Sequence, residues 1–276
     1  MRAPVVRILV ATCALLVSGC TTTPVSTAAP PPKTFVSLTF DDGHASHYAA
    51  AMQMRARGLA GTFYISSGLM GSSTYYMPWW QVYNIAEAGS EIGGHTMHHA
   101  DLSTADAVTV RREVCDDRYT LLNQGFSPVS GFAYPGPGLS PVTQELAKEC
   151  GYSTGRGVGG LFNRYCVQCP AAETMPPEDP YKLKTAFPAR AATTLADLQA
   201  VITNAETNGG GWAILVFHGV CDDGCTADLS VATATFTALL DWLAPRAANG
   251  TVVRTVGQVA AGGAVTPQVT PWLSCT

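Results

Sequence analysis

From residue 35 to residue 253 the chain switches repeatedly between short strand-like runs and longer helix-like ones, and this alternation restricts the fold more than any other feature. Residues 35–40 form a mostly apolar run of strand length. Residues 44–57 read as a helix stopped by Gly58, 61–65 as a second strand, 78–88 as a helix stopped by Gly89, and 90–94 as a short strand. A long helix over 105–124 precedes a strand at 129–134. The helix expected at 140–150 has Ser140 as N-cap and Pro141 in its first turn. A short strand at 152–154 leads into 155–188, which carries five prolines and four glycines without a clear period and reads mostly as loop. A helix over 194–208, an apolar strand over 212–217, a helix over 231–243 and a strand over 251–253 complete the series. Strands that alternate with helices predict an α/β fold with a parallel sheet, either open and doubly wound or closed into a barrel.

Such folds gather their reactive groups where the strands end. The first strand ends in Thr39-Phe40-Asp41-Asp42-Gly43, two adjacent carboxylates before a glycine turn. Taken alone this is ordinary turn chemistry. The third strand leads into His95-Thr96-Met97-His98-His99, the fourth into Tyr134-Pro135-Gly136-Pro137, and the strand over 212–217 ends in His218. His95 and His99 are four apart, so one helical turn would put both imidazoles on one face. With Asp42 they would make an Asp-His-His site with an open position, the pattern of a catalytic metal centre. The plainer alternative is a pair of solvated surface histidines. His98, between them, is expected to face solvent.

Outside the alternating region the sequence points to export. Arg2 and Arg7 precede an apolar run over 8–17, followed by Leu16-Val17-Ser18-Gly19-Cys20. This segment resembles a bacterial lipobox, which implies a lipid on Cys20, a bacterial membrane anchor and an exported protein. An ordinary secretory leader is the alternative. Residues 21–34, rich in Thr, Pro and Ala, read as a tether. Seven cysteines remain: Cys115, Cys150, Cys166, Cys169, Cys221, Cys225 and Cys275. An oxidising compartment favours disulfides, with structural zinc on the Cys166/Cys169 and Cys221/Cys225 pairs as the competitor. A formal net charge of −4 with no basic block argues against nucleic acid as a partner. No feature calls for a second subunit, so a monomer is expected.

Taken together, the Thr-Phe-Asp-Asp-Gly motif, His95-Thr96-x-x-His99, a Pro-Gly strand end and the terminal His218 resemble the NodB-homology polysaccharide deacetylases. Gly61-Thr62-Phe63-Tyr64 and Glu91-Ile92-Gly93-Gly94 extend the likeness, which covers about residues 35–259. The resemblance implies a single catalytic domain over 35–262, built as a distorted (β/α)7 barrel, and a tail over 263–276. It implies a metal-dependent hydrolase that removes N-acetyl, or sometimes O-acetyl, groups from a carbohydrate polymer. Asp41 would be the base, and Asp42, His95 and His99 would hold a divalent metal, zinc first, with cobalt or nickel as alternatives. His218 would be the general acid. Tyr134, Pro135 and Gly136 would line the oxyanion and substrate side, with the Gly136 N–H as donor.

Two positions depart from that family pattern. Ala133 stands where an arginine usually pairs with the base, and Arg156 is the candidate replacement. The Asp-Trp fourth motif is not recognisable, which leaves the partner of His218 unassigned. The aromatic cluster Tyr75, Tyr76, Trp79 and Trp80 would either stack on sugar rings or pack a helix on the barrel.

Overall fold

A computed structural model describes residues 33–262 apart from residue 223. The leader, nearly all of the tether and the tail, with Cys20 and Cys275, lie outside the described residues. The order is β1 (Thr34–Phe40), α1 (Ser46–Arg55), β2 (Thr62–Ile65), α2 (Trp79–Glu87), β3 (Glu91–Gly94), α3 (Ala107–Arg111), α4 (Asp117–Asn123), β4 (Gly131–Ala133) and α5 (Pro141–Glu149). Then come β5 (Thr154–Gly160), β6 (Leu183–Thr185), α6 (Leu195–Thr207), β7 (Gly211–Phe217), β8 (Gly219–Val220), β9 (Ser230–Val231), α7 (Thr233–Leu243), β10 (Thr251–Val253) and α8 (Val256–Ala260).

The strands pair in parallel in the order β10-β1-β2-β3-β4-β5-β6, and β7 pairs with β1 along its whole length. Just past β6, Ala186 N–H donates to Ile214 O and Ala189 N–H to Val216 O, so the ring of strands closes on β7. The result is the expected distorted barrel of parallel strands, as a single domain. One edge of β1 is shared. Its first residues pair with β10, and Thr39 and Phe40 pair with β2.

Side chains alternate across each strand, and this sorts the core into two layers. Phe40, Phe63, Phe217 and Phe236 stack between sheet and helices, with Phe40 and Phe63 centroids 4.4 Å apart. Truncating any one of them would cost about 3–5 kcal/mol. Tyr64, Ala133, Leu183, Trp212 and Ile214 face inward and pack on Val256 and Val259 of α8, which plugs the lower end of the barrel. Buried Glu91 holds α8 there by accepting from Gly257 N–H at 2.8 Å.

The expected elements are present, with three differences. The strand expected over 152–154 runs on to Gly160 as β5, and β6 follows within the segment read as loop. The long helix over 105–124 is interrupted by a π-helical turn at Arg112–Asp116. The stretch from His95 to His99 is not a helical turn, because Thr96 and His99 are left-handed, with φ of 67° and 57°. Ser140 caps α5 as predicted, accepting from Thr143 N–H. Disulfides join Cys115–Cys150, Cys166–Cys169 and Cys221–Cys225, so neither short pair is a zinc half-site.

Candidate active site

The upper ends of β1, β3 and β7, with the inner part of β5, bring Asp41, Asp42, His95, His218 and Arg156 together. Asp41 and Asp42 are neighbours on one chain, and a continued strand would point them to opposite faces. Asp41 still belongs to the sheet, its N–H donating to Phe217 O at 2.9 Å. Asp42 turns left-handed, with φ of 76°, a conformation Asp tolerates better than most residues. Gly43 follows at φ 79°, and a Cβ there would meet Met70 Cε at 2.4 Å, so only glycine fits. The double left-handed turn puts both carboxylates on the site.

Asp42 Oδ1 lies 3.1 Å from His95 Nε2 and 3.2 Å from His99 Nε2. Among the described residues these three side chains form the one group whose ligand atoms lie within 4.8 Å of one another. His95 is fixed from behind. Its Nδ1 lies 2.8 Å from Ala133 O, so the proton sits on Nδ1 and the Nε2 lone pair faces Asp42. Asp42 Oδ1 is buried and has no hydrogen-bond donor. A buried acceptor without a donor, faced by two imidazoles, fits a cation, and two His nitrogens with one carboxylate oxygen suit a divalent transition ion. His99, with its side chain 44% exposed, opens the cluster to solvent.

Asp117 supports this arrangement from below. It is buried, accepts from His95 N–H at 2.9 Å and from Ser67 N–H at 3.0 Å, and burial pushes its carboxyl up to about 6. Gly94 makes room for it, since a Cβ there would sit 2.5 Å from Asp117 Oδ2. His98 turns outward, as expected, and pairs with Glu113 at 2.9 Å. The π-turn helps here. It leaves Glu113 O free to accept from Met97 N–H at 2.9 Å while the Glu113 side chain holds His98.

Asp41 is 2% exposed and forms a buried ion pair with Arg156, whose guanidinium also lies over the Tyr64 ring. The arginine absent at Ala133 is thus supplied one strand over, since Ala133 and Arg156 are register partners of β4 and β5. His218 Nε2 lies 3.9 Å from Asp41 Oδ2, on the oxygen that Arg156 does not take. Burial lowers the His218 pKa against the pull of both aspartates. His218 Nδ1 is buried without a partner, so no carboxylate among the described residues orients this ring. Its backbone is held instead: fully buried His47 donates from Nε2 to His218 O. Sequence reasoning missed His47 and Asp117, because nothing along the chain marks a buried polar residue that serves another one.

Tyr134, Pro135 and Gly136 divide by position. The Tyr134 side chain packs outward against Phe132, away from the barrel interior, and its N–H donates to Arg156 O at 3.0 Å. Pro135 has no N–H. Of the three, Gly136, exposed just past the strand end, is left as the backbone donor. The aromatic cluster also divides. Trp79 packs against Phe126 and Tyr83, whereas Tyr75 and Trp80 are 44% and 55% exposed, and Tyr75 lies 4.6 Å from the His44 ring.

Residues 28–155 match the polysaccharide deacetylase family model. A chitin deacetylase of Pestalotiopsis sp. is 33% identical over 91 residues, which cover 33% of this chain and 30% of that protein. Two solved structures share the fold. The Xyl-CE4 domain of a multidomain xylanase from the hindgut metagenome of Trinervitermes trinervoides is 17% identical, with a TM-score of 0.55 over 87% of this chain and 95% of the other. A family 4 acetyl xylan esterase from Clostridium thermocellum, solved with a cobalt ion, is 18% identical, with a TM-score of 0.54 over 85% of this chain and 95% of the other. The matched residues 28–155 hold Asp41, Asp42, His95 and His99, and leave Arg156 and His218 outside the match.

Proposed function

We propose that the protein is a metal-dependent hydrolase that removes N-acetyl groups from an extracellular or cell-envelope polysaccharide. The observation that carries this reading is the pairing of Asp41 with Arg156 beside the Asp42, His95 and His99 cluster. A divalent ion held by those three residues, zinc first and cobalt or nickel next, would supply Lewis acidity to the acetyl carbonyl and to water.

The chain's own residues account for the proton movements. Asp41 takes the proton of the attacking water. Arg156 holds one oxygen of Asp41 and leaves Oδ2 free for that proton. Gly136 offers its N–H to the oxyanion. His218, 3.9 Å from Asp41 Oδ2, passes a proton to the departing amine. A catalytically degenerate glycan-binding lipoprotein is the alternative that Ala133 raises, and the ion pair of Arg156 with Asp41 supports the hydrolase reading over it. O-acetyl esters are the second substrate class to test, since an ester's leaving alcohol needs less help from His218.

The test is acetate release from matched N-acetylated and O-acetylated glycans, with and without a chelator and after metal return. No release from any of them under metal-loaded conditions rejects the proposal.

The reading also includes a lipid anchor on Cys20. Chain entry at Lys33 and Thr34 supports it, being at the end of β1 opposite the site, so a tethered barrel would present its active face away from the membrane. A Cys20→Ala protein should leave the membrane fraction and keep its activity; retention there to the same extent would reject the anchor.

A further inference from the structure

We infer that Tyr64 is a positioning residue, whose ring face fixes the guanidinium of Arg156 and through it the carboxylate of Asp41. The inference rests on the reading of Asp41 as the base, and concerns a residue sealed away from the site mouth. Arg156 makes two hydrogen bonds, from Nη2 to Asp41 Oδ1 and from Nη1 to Gly157 O at 3.2 Å. Its Nε is buried without an acceptor. Two bonds from the tip leave the guanidinium free to swing about the line that joins them. The Tyr64 ring is the third support. Arg156 Cζ lies 4.8 Å from its centroid, inside the range of a cation–π contact. Both side chains are fully buried, so no water competes for the cation. Asp41 Oδ2 lies 3.9 Å from His218 Nε2, and a carboxylate that followed a displaced guanidinium would lose that aim.

The barrel interior is shaped for this contact. Tyr64 stands on β2 and Arg156 on β5, with β3 and β4 between them. Each intervening strand has a glycine where the ring crosses it. A Cβ at Gly93, the register partner of Tyr64, would lie 2.7 Å from Tyr64 Cδ1, and one at Gly131 would lie 3.1 Å from Cε1. Ala133, the register partner of Arg156, is small and packs in the same inner cluster as Tyr64. The Tyr64 hydroxyl is buried without a hydrogen-bond partner, so the support comes from the ring and not from a polar contact. The negative face of an aromatic ring favours a cation directly over it. That preference opposes the one swing which the two hydrogen bonds leave open.

The experiment replaces Tyr64 in the full chain by phenylalanine, and then by mono-, di- and trifluorophenylalanine. Fluorine drains charge from the ring face with little change of shape, so it weakens a cation–π contact and spares the packing. Tyr64→Phe should keep the parent kcat on an N-acetylated glycan. Each added fluorine should lower kcat, to about tenfold below the parent in the trifluoro protein, with KM and bound zinc unchanged. Tyr64→Leu, which keeps apolar bulk without a ring, should lose at least as much. The melting temperature of the metal-free protein should fall along the same series, and that fall should vanish in an Arg156→Met background, where the cation is gone. A flat kcat across the series in an active parent overturns the inference, as does an equal fall in melting temperature in the Arg156→Met proteins. A parent that releases no acetate would instead remove the hydrolase reading, and the catalytic role of the ring with it.

Discussion

Arg156 stands opposite Ala133 in the register of β5 and β4, and from there its guanidinium reaches the carboxylate of Asp41 on β1. The charge partner of the proposed base has moved one strand sideways while its target stayed in place. Both groups are nearly sealed from solvent, at 0% and 2% exposure. Breaking such a pair costs about 3–5 kcal/mol, because the surviving charge stays buried.

Arg156→Ala should therefore lower turnover by on the order of 10²-fold through a misplaced base, while zinc binding survives. The protein should also melt at lower temperature. Adding Ala133→Arg to that variant returns a cation to the adjacent strand and should recover part of both losses. Unchanged kinetics in the single variant would remove Arg156 from the site.

The neighbouring aspartates should separate cleanly. Asp42→Ala, His95→Ala and His99→Ala should each lose bound metal by elemental analysis. Asp41→Asn and His218→Ala should keep it and lose on the order of 10²–10⁴ in rate, the usual worth of a general base or acid. Metal loss in Asp41→Asn with retention in Asp42→Ala would exchange the two roles.

Acid sensitivity should arise partly at His47. Burial, helped by the nearby His44, pushes its imidazole down to about 3. The unfolded chain takes up a proton near pH 6.5 and the folded chain does not, so stability is lost as pH falls below 6.5. Between pH 6.5 and 5 this one residue should cost roughly 2 kcal/mol. His47→Gln keeps an N–H for His218 O without titrating, and its denaturation midpoint should vary less with pH over that range. An identical pH slope in both proteins would assign the sensitivity elsewhere.

The cysteines make a countable prediction. Three disulfides use six of the seven cysteines from Thr21 onward, so the denatured, unreduced protein should show one free thiol, at Cys275. Three or more free thiols would contradict the pairing. Cys115–Cys150 spans 35 residues and should contribute about 4 kcal/mol by loop closure, against about 2 for the bridge spanning three residues. Serine pairs replacing each bridge in turn should rank their melting temperatures accordingly.

The alternation of apolar runs was enough to predict a parallel α/β sheet, because strand and helix periods are local properties of the chain. The strand ends of β1, β3 and β7 were legible for the same reason, and with them Asp41, Asp42, His95, His99 and His218. β5 was not fully legible. Gly155, Gly157, Gly159 and Gly160 weaken any strand signal, yet Gly155 is required because a Cβ there would sit 2.5 Å from Tyr134 Oη. Gly155 answers the bulk of Tyr134, 21 residues away along the chain, which no local window reads.

The same division holds at the site. The sequence by itself determined which side chains could bind a metal or move a proton, since residue type sets donor atoms and ordinary pKa values. Only the tertiary structure decided their geometry. Left-handed turns at Asp42, Thr96 and His99 replaced the helical turn expected for the histidines. Ala133 contributes its carbonyl to His95, Arg156 replaces the missing arginine, and His47 holds the backbone of His218. Each of these contacts joins residues between 38 and 171 positions apart. Their energies depend on burial and direction in space, and those properties exist only once the barrel has closed.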